Sequence, residues 1–200
     1  ATITHESLPS DITDVSGRLD YKNDLVTWDQ LLATYKGQRY SLVGQLSDFS
    51  RPVIDTKITS DQLALTTQIK VLNQAFQFTA FTGNYLNSSF DLKGDVHLFK
   101  DASPDIDLRG KAMLNLEDTG ILIPRLRDRV KQLHPVGILS AEGIYQGKLD
   151  DWRNWKITFD ATSDQVKIQG HPFQNFSFYY SQRDLTISKC ETSSTIYDGT

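Results

Sequence analysis

Alternating apolar and polar residues along positions 105–117 constrain the fold of this chain more than any other feature. The apolar positions are Ile106, Leu108, Gly110, Ala112, Leu114 and Leu116. Most of the residues between them are charged or polar. A period of two residues is that of a β-strand, whose successive side chains point to opposite faces. The stretch therefore predicts one long strand with an apolar face and a polar face.

The same alternation recurs along the chain and predicts about ten or more strands. Short stretches of turn-forming residues separate them, such as 22–24, 36–38 and Ser163-Asp164-Gln165. Connections this short join antiparallel neighbours, whereas parallel pairing needs crossover helices. Only residues 118–133 have apolar residues at helical spacing. We expect an all-β fold, a mainly antiparallel meander of long amphipathic strands forming a curved, groove-like or sandwich sheet, with one short amphipathic helix near 119–133.

Two pairs of sequence echoes indicate internal repetition. GQLSDFSRPVIDTKI and GDVHLFKDASPDIDLRG share a glycine, an apolar run and Pro-x-Ile-Asp, with Gly44 and Gly94 separated by 94 − 44 = 50 residues. Residues 17–37 are similarly echoed by 176–199. Repeats of this length are typical of stacked units that cannot bury their apolar faces alone. We interpret residues 1–200 as a single repeat-built β domain, and we expect it to be a fragment of a longer protein.

Composition and motifs argue against several classes of function. With 21 basic and 25 acidic residues the net charge is −4, which gives no basic field for nucleic acid. The single cysteine, Cys190, excludes an internal disulfide framework or a cysteine-rich zinc site. The chain contains no nucleophile elbow, phosphate-binding glycine loop or paired-histidine metal motif, and its four histidines are scattered. We therefore predict no enzymatic activity, no catalytic residues, no metal and no cofactor.

The apolar side of so many strands has to be covered, either by a second sheet or by an apolar ligand. If a ligand covers it, the residues we expect to contact acyl chains are Ile106, Leu108, Leu114, Leu116, Ile157, Phe159, Phe176 and Phe178. In the helical segment, Arg125 and Arg129 could contact anionic headgroups or a membrane surface. The alternative for that segment is a solvated basic face above a buried stripe.

Long stretches of the chain resemble the AsmA-like family, especially its C-terminal region and the related TamB-type proteins. The recurrent Gly-x-Leu strand, loop, proline and Asp-bearing strand are found in ITDVSGRLDYKNDLVTWDQLLATYKGQRYSLVGQLSDFSRPVIDTKITSDQLAL. The segment LEDTGILIPRLRDRVKQLHPVGILSAEGIYQGKLDDW is similar to the family's short helix and strand restart, and SSTIYDGT to its closing Tyr-x-Gly. The resemblance covers nearly the whole chain.

This resemblance implies a non-enzymatic, bridge-like lipid-transfer module of the bacterial periplasm and cell envelope, anchored to the inner membrane in the full-length protein. It implies phospholipid or another acyl-chain lipid as partner, together with other segments of the same longer protein. The expected role is phospholipid transport between membranes or outer-membrane homeostasis. The alternative is a structural or adhesive β-sandwich spacer without a ligand, in which the apolar residues interdigitate between two sheets.

Overall fold

Twelve antiparallel strands form one sheet in the computed structural model, which describes residues 11–99, 102–122, 127–148, 151–184 and 186–196. The strands are β1 (Ile12–Lys22), β2 (Leu25–Tyr35), β3 (Gln38–Ser47), β4 (Val53–Thr59), β5 (Leu63–Leu72), β6 (Ala75–Tyr85), β7 (Ser88–Phe99), β8 (Ala102–Asn115), β9 (Val136–Lys148), β10 (Lys156–Ile168), β11 (His171–Arg183) and β12 (Thr186–Ile196). The helices are α1 (Thr119–Leu122) and α2 (Arg127–Leu133), and 3₁₀ turns occupy Leu116–Asp118 and Trp152–Asn154.

The strands lie side by side in chain order, from β1 at one edge to β12 at the other. Each strand packs extensively only against its sequence neighbours. The prediction of an all-β antiparallel meander is therefore confirmed. Of the two arrangements that the sequence left open, a sandwich is not found, because the described strands belong to one open sheet and no second sheet covers either face.

Two-residue turns join many of the strands, as the sequence predicted. The β1–β2 turn contains Asn23 and Asp24, at φ 51° and 56°, and the β10–β11 turn contains Gln169 and Gly170, at φ 52° and 82°. Positive φ at both central residues gives the twist that a tight hairpin requires. The prediction of a turn at Ser163-Asp164-Gln165 is wrong. These residues lie within β10, where a register shift between Thr162 and Val166 marks a bulge that absorbs the irregularity without ending the strand.

The echoed sequences lie in β3–β4 and β7–β8, and the glycines that begin them have equivalent partners on the preceding strands, β2 and β6. Trp28 pairs with Gly44 and Phe78 pairs with Gly94. Trp28 lies 44 − 28 = 16 residues before Gly44, and Phe78 lies 94 − 78 = 16 residues before Gly94. The pairing register shifts immediately after each aromatic residue. Gly94 has a φ of +144°, which L side chains rarely adopt. Each glycine thus leaves room for its neighbouring strand beside a bulge, so the repeated glycine has a steric role.

A helical crossing, which we define as residues 116–122 and 127–133, connects β8 to β9. The predicted single helix is confirmed as a helical segment, but the structure divides it into α1 and α2, and Pro124 lies outside the described residues. Asp118 is buried and accepts hydrogen bonds from the Asn87 backbone N–H at 2.8 Å and the Ser88 hydroxyl at 3.3 Å. It therefore attaches the crossing to the start of β7.

The sheet buries very little apolar surface for its size. The chain exposes 13836 Å², whereas a compact protein of 22.7 kDa exposes about 9500 Å². Among the described residues only three apolar side chains are buried, namely Ala75, Ala161 and Val166. The fold therefore has no conventional core, and most of its apolar side chains are only partly shielded by their neighbours in the sheet.

Candidate functional site

Two adjacent cross-strand rows show how the faces of the sheet differ. One row runs through Phe90, Ala112, Ala141, Ala161 and Phe178 on strands β7 to β11. The next row, one residue further along each strand, runs through Asp91, Lys111, Glu142, Asp160 and Tyr179. Because neighbouring residues of a strand point to opposite sides, the first row belongs to an apolar face and the second to a polar face.

A block of small residues creates a depression in the apolar face. Gly110 pairs with Gly143, and Ala112 pairs with Ala141, across strands β8 and β9. Each strand therefore contributes two positions with little or no side chain, while larger residues surround them. The resulting open depression has a volume of about 620 Å³. Its floor consists of this block, and its shape follows from residue size and register.

Aromatic clusters lie on both sides of this small-residue block. On β10 and β11 the ring of Phe159 is 5.3 Å from that of Phe178 and 5.6 Å from that of Tyr180, measured between centroids. On β6 and β7 the rings of Phe81 and Phe90 stack at 5.5 Å. Such spacings are those of favourable aromatic pairs. The depression thus lies between two aromatic clusters, one on β6 and β7 and the other on β10 and β11.

The structure brings most of the predicted acyl-contact residues together. Six of the eight line the depression, namely Leu108, Leu114, Ile157, Phe159, Phe176 and Phe178. Ile106 lies on the same face, because it pairs with Val96 and Gly147, but outside the depression. Leu116 lies beyond the end of β8 in a 3₁₀ turn, so the alternation that placed it in the strand extended too far. Arg125 is outside the described residues, and Arg129 is exposed on α2.

Strand β9 contributes lining residues that the sequence prediction omitted: Leu139, Ala141 and Tyr145. They alternate along β9 like the predicted residues. Their signal was weakened because Ile138 and Ile144, which point to the polar face, are also apolar and are about half exposed. The contrast between the two sides of β9 is therefore lower than in β8.

The polar face carries balanced charges in place of a field of one sign. A depression of about 690 Å³ is lined by three carboxylates and three cations, namely Asp91, Glu142, Asp160, Lys93, Arg109 and Lys111. Lys111 forms an exposed ion pair with Glu142 at 3.2 Å. Elsewhere on this face, Gln68 donates a hydrogen bond to Asp55 at 2.7 Å and accepts one from Thr79 at 2.6 Å. These contacts join polar side chains of neighbouring strands, and the charges that line this depression balance in number.

Polar groups on the apolar face are few. The Trp28 Nε1 atom and the Thr67 hydroxyl are buried without a hydrogen-bond partner among the described residues. Tyr145, at the margin of the depression, packs edge-on against Trp155 at 5.5 Å. Burial raises the pKa of the Tyr145 phenol above its usual value, and the nearby Asp105 carboxylate raises it further. Both effects keep Tyr145 neutral, which preserves the uncharged character of this face.

Side chains suited to metal binding do not converge in the described part of the chain. No group of three or more His, Cys, Asp or Glu residues there could hold a metal ion. Cys190 is exposed on the edge strand β12. Asp151 accepts a hydrogen bond from the Arg153 backbone N–H. In residues 11–99 and the other described ranges, no helix has the length and hydropathy to cross a membrane.

Fold and site together define a single-sheet antiparallel β protein with one largely uncovered apolar face. Comparison with protein-family models, with curated proteins and with solved structures finds no match for the chain. The geometry of the apolar face is therefore the basis for considering its function.

Proposed function

We propose that this chain is a non-enzymatic module that binds acyl-chain lipid along its apolar face. The observation that supports the proposal most is the lack of covering: twelve strands form one open sheet with an apolar face across β7 to β11, yet only Ala75, Ala161 and Val166 are buried apolar residues in the described structure. An apolar surface of this extent is unfavourable in water. Hydrocarbon from a ligand would remove that cost.

The dimensions and chemistry of the depression suit a hydrocarbon chain better than a polar ligand. Its floor is formed by small residues and its sides by aliphatic and aromatic ones, with few polar atoms. Each buried methylene contributes about 0.8 kcal/mol, so ten methylenes would contribute about 8 kcal/mol before ordering costs. Binding at this strength needs no specific polar contact. Selectivity for the headgroup would consequently be weak, and the headgroup would stay in water.

The resemblance to the AsmA-like family extends this proposal to a biological setting. In that setting the chain would form part of a longer envelope protein anchored to the inner membrane, and adjoining segments would continue the apolar face. The lipid would be phospholipid moving between membranes, or lipid involved in outer-membrane homeostasis. Movement along the face would be passive, because successive apolar strands present similar surfaces to the acyl chain.

Titration with the fluorescent fatty acid cis-parinaric acid tests the proposal. Leu108→Gln places an amide in the lining of the depression, while Val43→Gln makes a comparable change at an exposed apolar residue. Val43 pairs with Lys57 and points to the polar face. An unpaired polar group beneath a hydrocarbon chain costs about 1–3 kcal/mol, so we expect Leu108→Gln to weaken binding about tenfold or more. Val43→Gln should bind as the parent chain does.

Two outcomes of the titration would contradict the proposal. If the parent chain does not bind the fatty acid, the ligand-free spacer becomes the better description. If both variants weaken binding equally, the fatty acid is not held in the depression. Circular dichroism and thermal unfolding of each variant establish that the sheet is intact in the samples compared.

A further inference from the structure

The helical crossing carries a second combination of side chains that the apolar face does not explain. The described segment 127–133 presents three exposed cations, Arg127, Arg129 and Lys131, against one carboxylate, Asp128. None of the residues of α2 is buried. The alternative considered from the sequence, a solvated basic face above a buried stripe, therefore lacks its buried stripe in α2.

Exposed apolar residues accompany these cations. Ile121 on α1 is 54% exposed and Leu133 at the end of α2 is 43% exposed. On the adjoining strands, Met113, Val136 and Ile138 are also substantially exposed. Ile138 pairs with Asn115, the last residue of β8, and Val136 begins β9. Exposed hydrocarbon at Ile121 and Leu133 thus accompanies the cations of α2, while the first turn of the crossing carries the exposed carboxylate of Glu117.

The crossing is held in place in spite of its exposed side chains. Asp118 attaches its first turn to Asn87 and Ser88. At its other end, the Leu133 carbonyl accepts a hydrogen bond from the Gln169 backbone N–H at 2.8 Å. Between these ends Gly120 is buried and lies close to Val130. The exposed cations and apolar residues are therefore presented from a crossing that is attached to the sheet at both ends.

We propose that the helical crossing docks on an anionic lipid surface. Cationic side chains attract anionic headgroups, and exposed aliphatic side chains enter the boundary between headgroups and hydrocarbon. Either signal alone gives weak association, whereas both together retain a protein at a membrane surface. The crossing borders the apolar depression at Thr119, but the proposal concerns the exposed side chains of α1 and α2 and does not require a lipid to lie in the depression.

Co-sedimentation with lipid vesicles tests the docking. The probes are vesicles of phosphatidylcholine alone and of phosphatidylcholine containing about one third phosphatidylglycerol. The test variant carries three substitutions: Arg127→Gln, Arg129→Gln and Lys131→Gln. The control variant loses the same charge from exposed positions of the polar face: Lys57→Gln, Lys70→Gln and Lys93→Gln. A third variant, Ile121→Asn with Leu133→Asn, removes the apolar part.

We expect the parent chain and the control variant to bind the anionic vesicles and to dissociate as salt is raised. Each basic residue near an anionic surface contributes about fivefold, so the test variant should bind on the order of a hundredfold more weakly. The apolar variant should also bind more weakly. Equal binding by the test and control variants would overturn the proposal, as would equal binding of the parent chain to neutral and anionic vesicles. Fatty-acid binding by the test variant is measured separately, so failure of docking is distinguishable from failure of the apolar face to bind lipid.

Discussion

Replacing Asp118 with alanine should destabilise the sheet through the loss of one buried carboxylate. Asp118 accepts hydrogen bonds from the Asn87 N–H at 2.8 Å, the Asn87 amide at 3.3 Å and the Ser88 hydroxyl at 3.3 Å. The Ser88 hydroxyl in turn accepts a hydrogen bond from the Asn115 N–H at 3.1 Å. One residue thus connects the β6–β7 turn, the end of β8 and the helical crossing.

The expected loss can be estimated from these three contacts. A hydrogen bond to a charged group contributes about 1.5–3 kcal/mol, and the two longer contacts contribute less. Asn87 is exposed and can hydrogen-bond to water when the carboxylate is removed, which reduces the cost. We therefore expect Asp118→Ala to lower the free energy of unfolding by about 2–3 kcal/mol. Asp118→Asn, which keeps an acceptor oxygen without the charge, should lose about half as much.

Urea denaturation followed by circular dichroism measures this difference. The matched control is Asp128→Ala, which removes an exposed carboxylate from α2 and should change the stability by less than about 0.5 kcal/mol. The slope of the unfolding free energy against urea should be the same for all variants. If Asp118→Ala is as stable as the control, the buried carboxylate does not attach the crossing to the sheet, and the reasoning is refuted.

Three further tests concern other parts of the structure. Gly44→Ala places a Cβ against the backbone of β4 and should lower the free energy of unfolding, measured by chemical denaturation, by about 3 kcal/mol. Gly37 has open space around it, so Gly37→Ala should lose only the roughly 1 kcal/mol that a positive φ costs an alanine. Equal losses would contradict the steric role of Gly44. The pKa of the Tyr145 phenol is raised in the folded protein, so its contribution to the free energy of unfolding is fully present below the unfolded-state pKa of about 10 and is lost as pH rises through the folded-state pKa. The free energy of unfolding of Tyr145→Phe should therefore decline less steeply at alkaline pH than that of the parent chain. An unchanged pH profile would contradict this. Lys111→Ala breaks an exposed ion pair with Glu142 and should change thermal stability by less than about 1 kcal/mol; a larger loss would show that the polar face holds the sheet together through its charges.

Local periodicity made the strands of this fold predictable, but it did not reveal the depression that neighbouring strands form together. The alternation in β8 identified the apolar side because charged residues separate its apolar ones. The depression depends instead on the pairing of Gly110 with Gly143, which are separated by the entire helical crossing. Alternation in one strand cannot give the register between two strands joined by a long connection. The lining of the depression was therefore incompletely predicted.

Bulges explain a second kind of difference between sequence and structure. Ser163, Asp164 and Gln165 have the composition of a turn, yet β10 continues through them because the flanking residues keep their partners on β11. Conversely, the apolar–polar alternation continues to Leu116, but β8 ends at Asn115. There the hydrogen bonds between Asp118 and β7 direct the chain into the crossing. Tertiary contacts decided both boundaries.

The central claim is that hydrocarbon from outside the chain completes the apolar face. Native mass spectrometry of the protein purified from cells without added detergent tests it most directly, combined with organic extraction and identification of any lipid. We predict a population whose added mass matches acyl-chain lipid and which decreases in the Leu108→Gln variant but not in Val43→Gln. A protein that is consistently lipid-free and monomeric, with its apolar face exposed to water, would contradict the account.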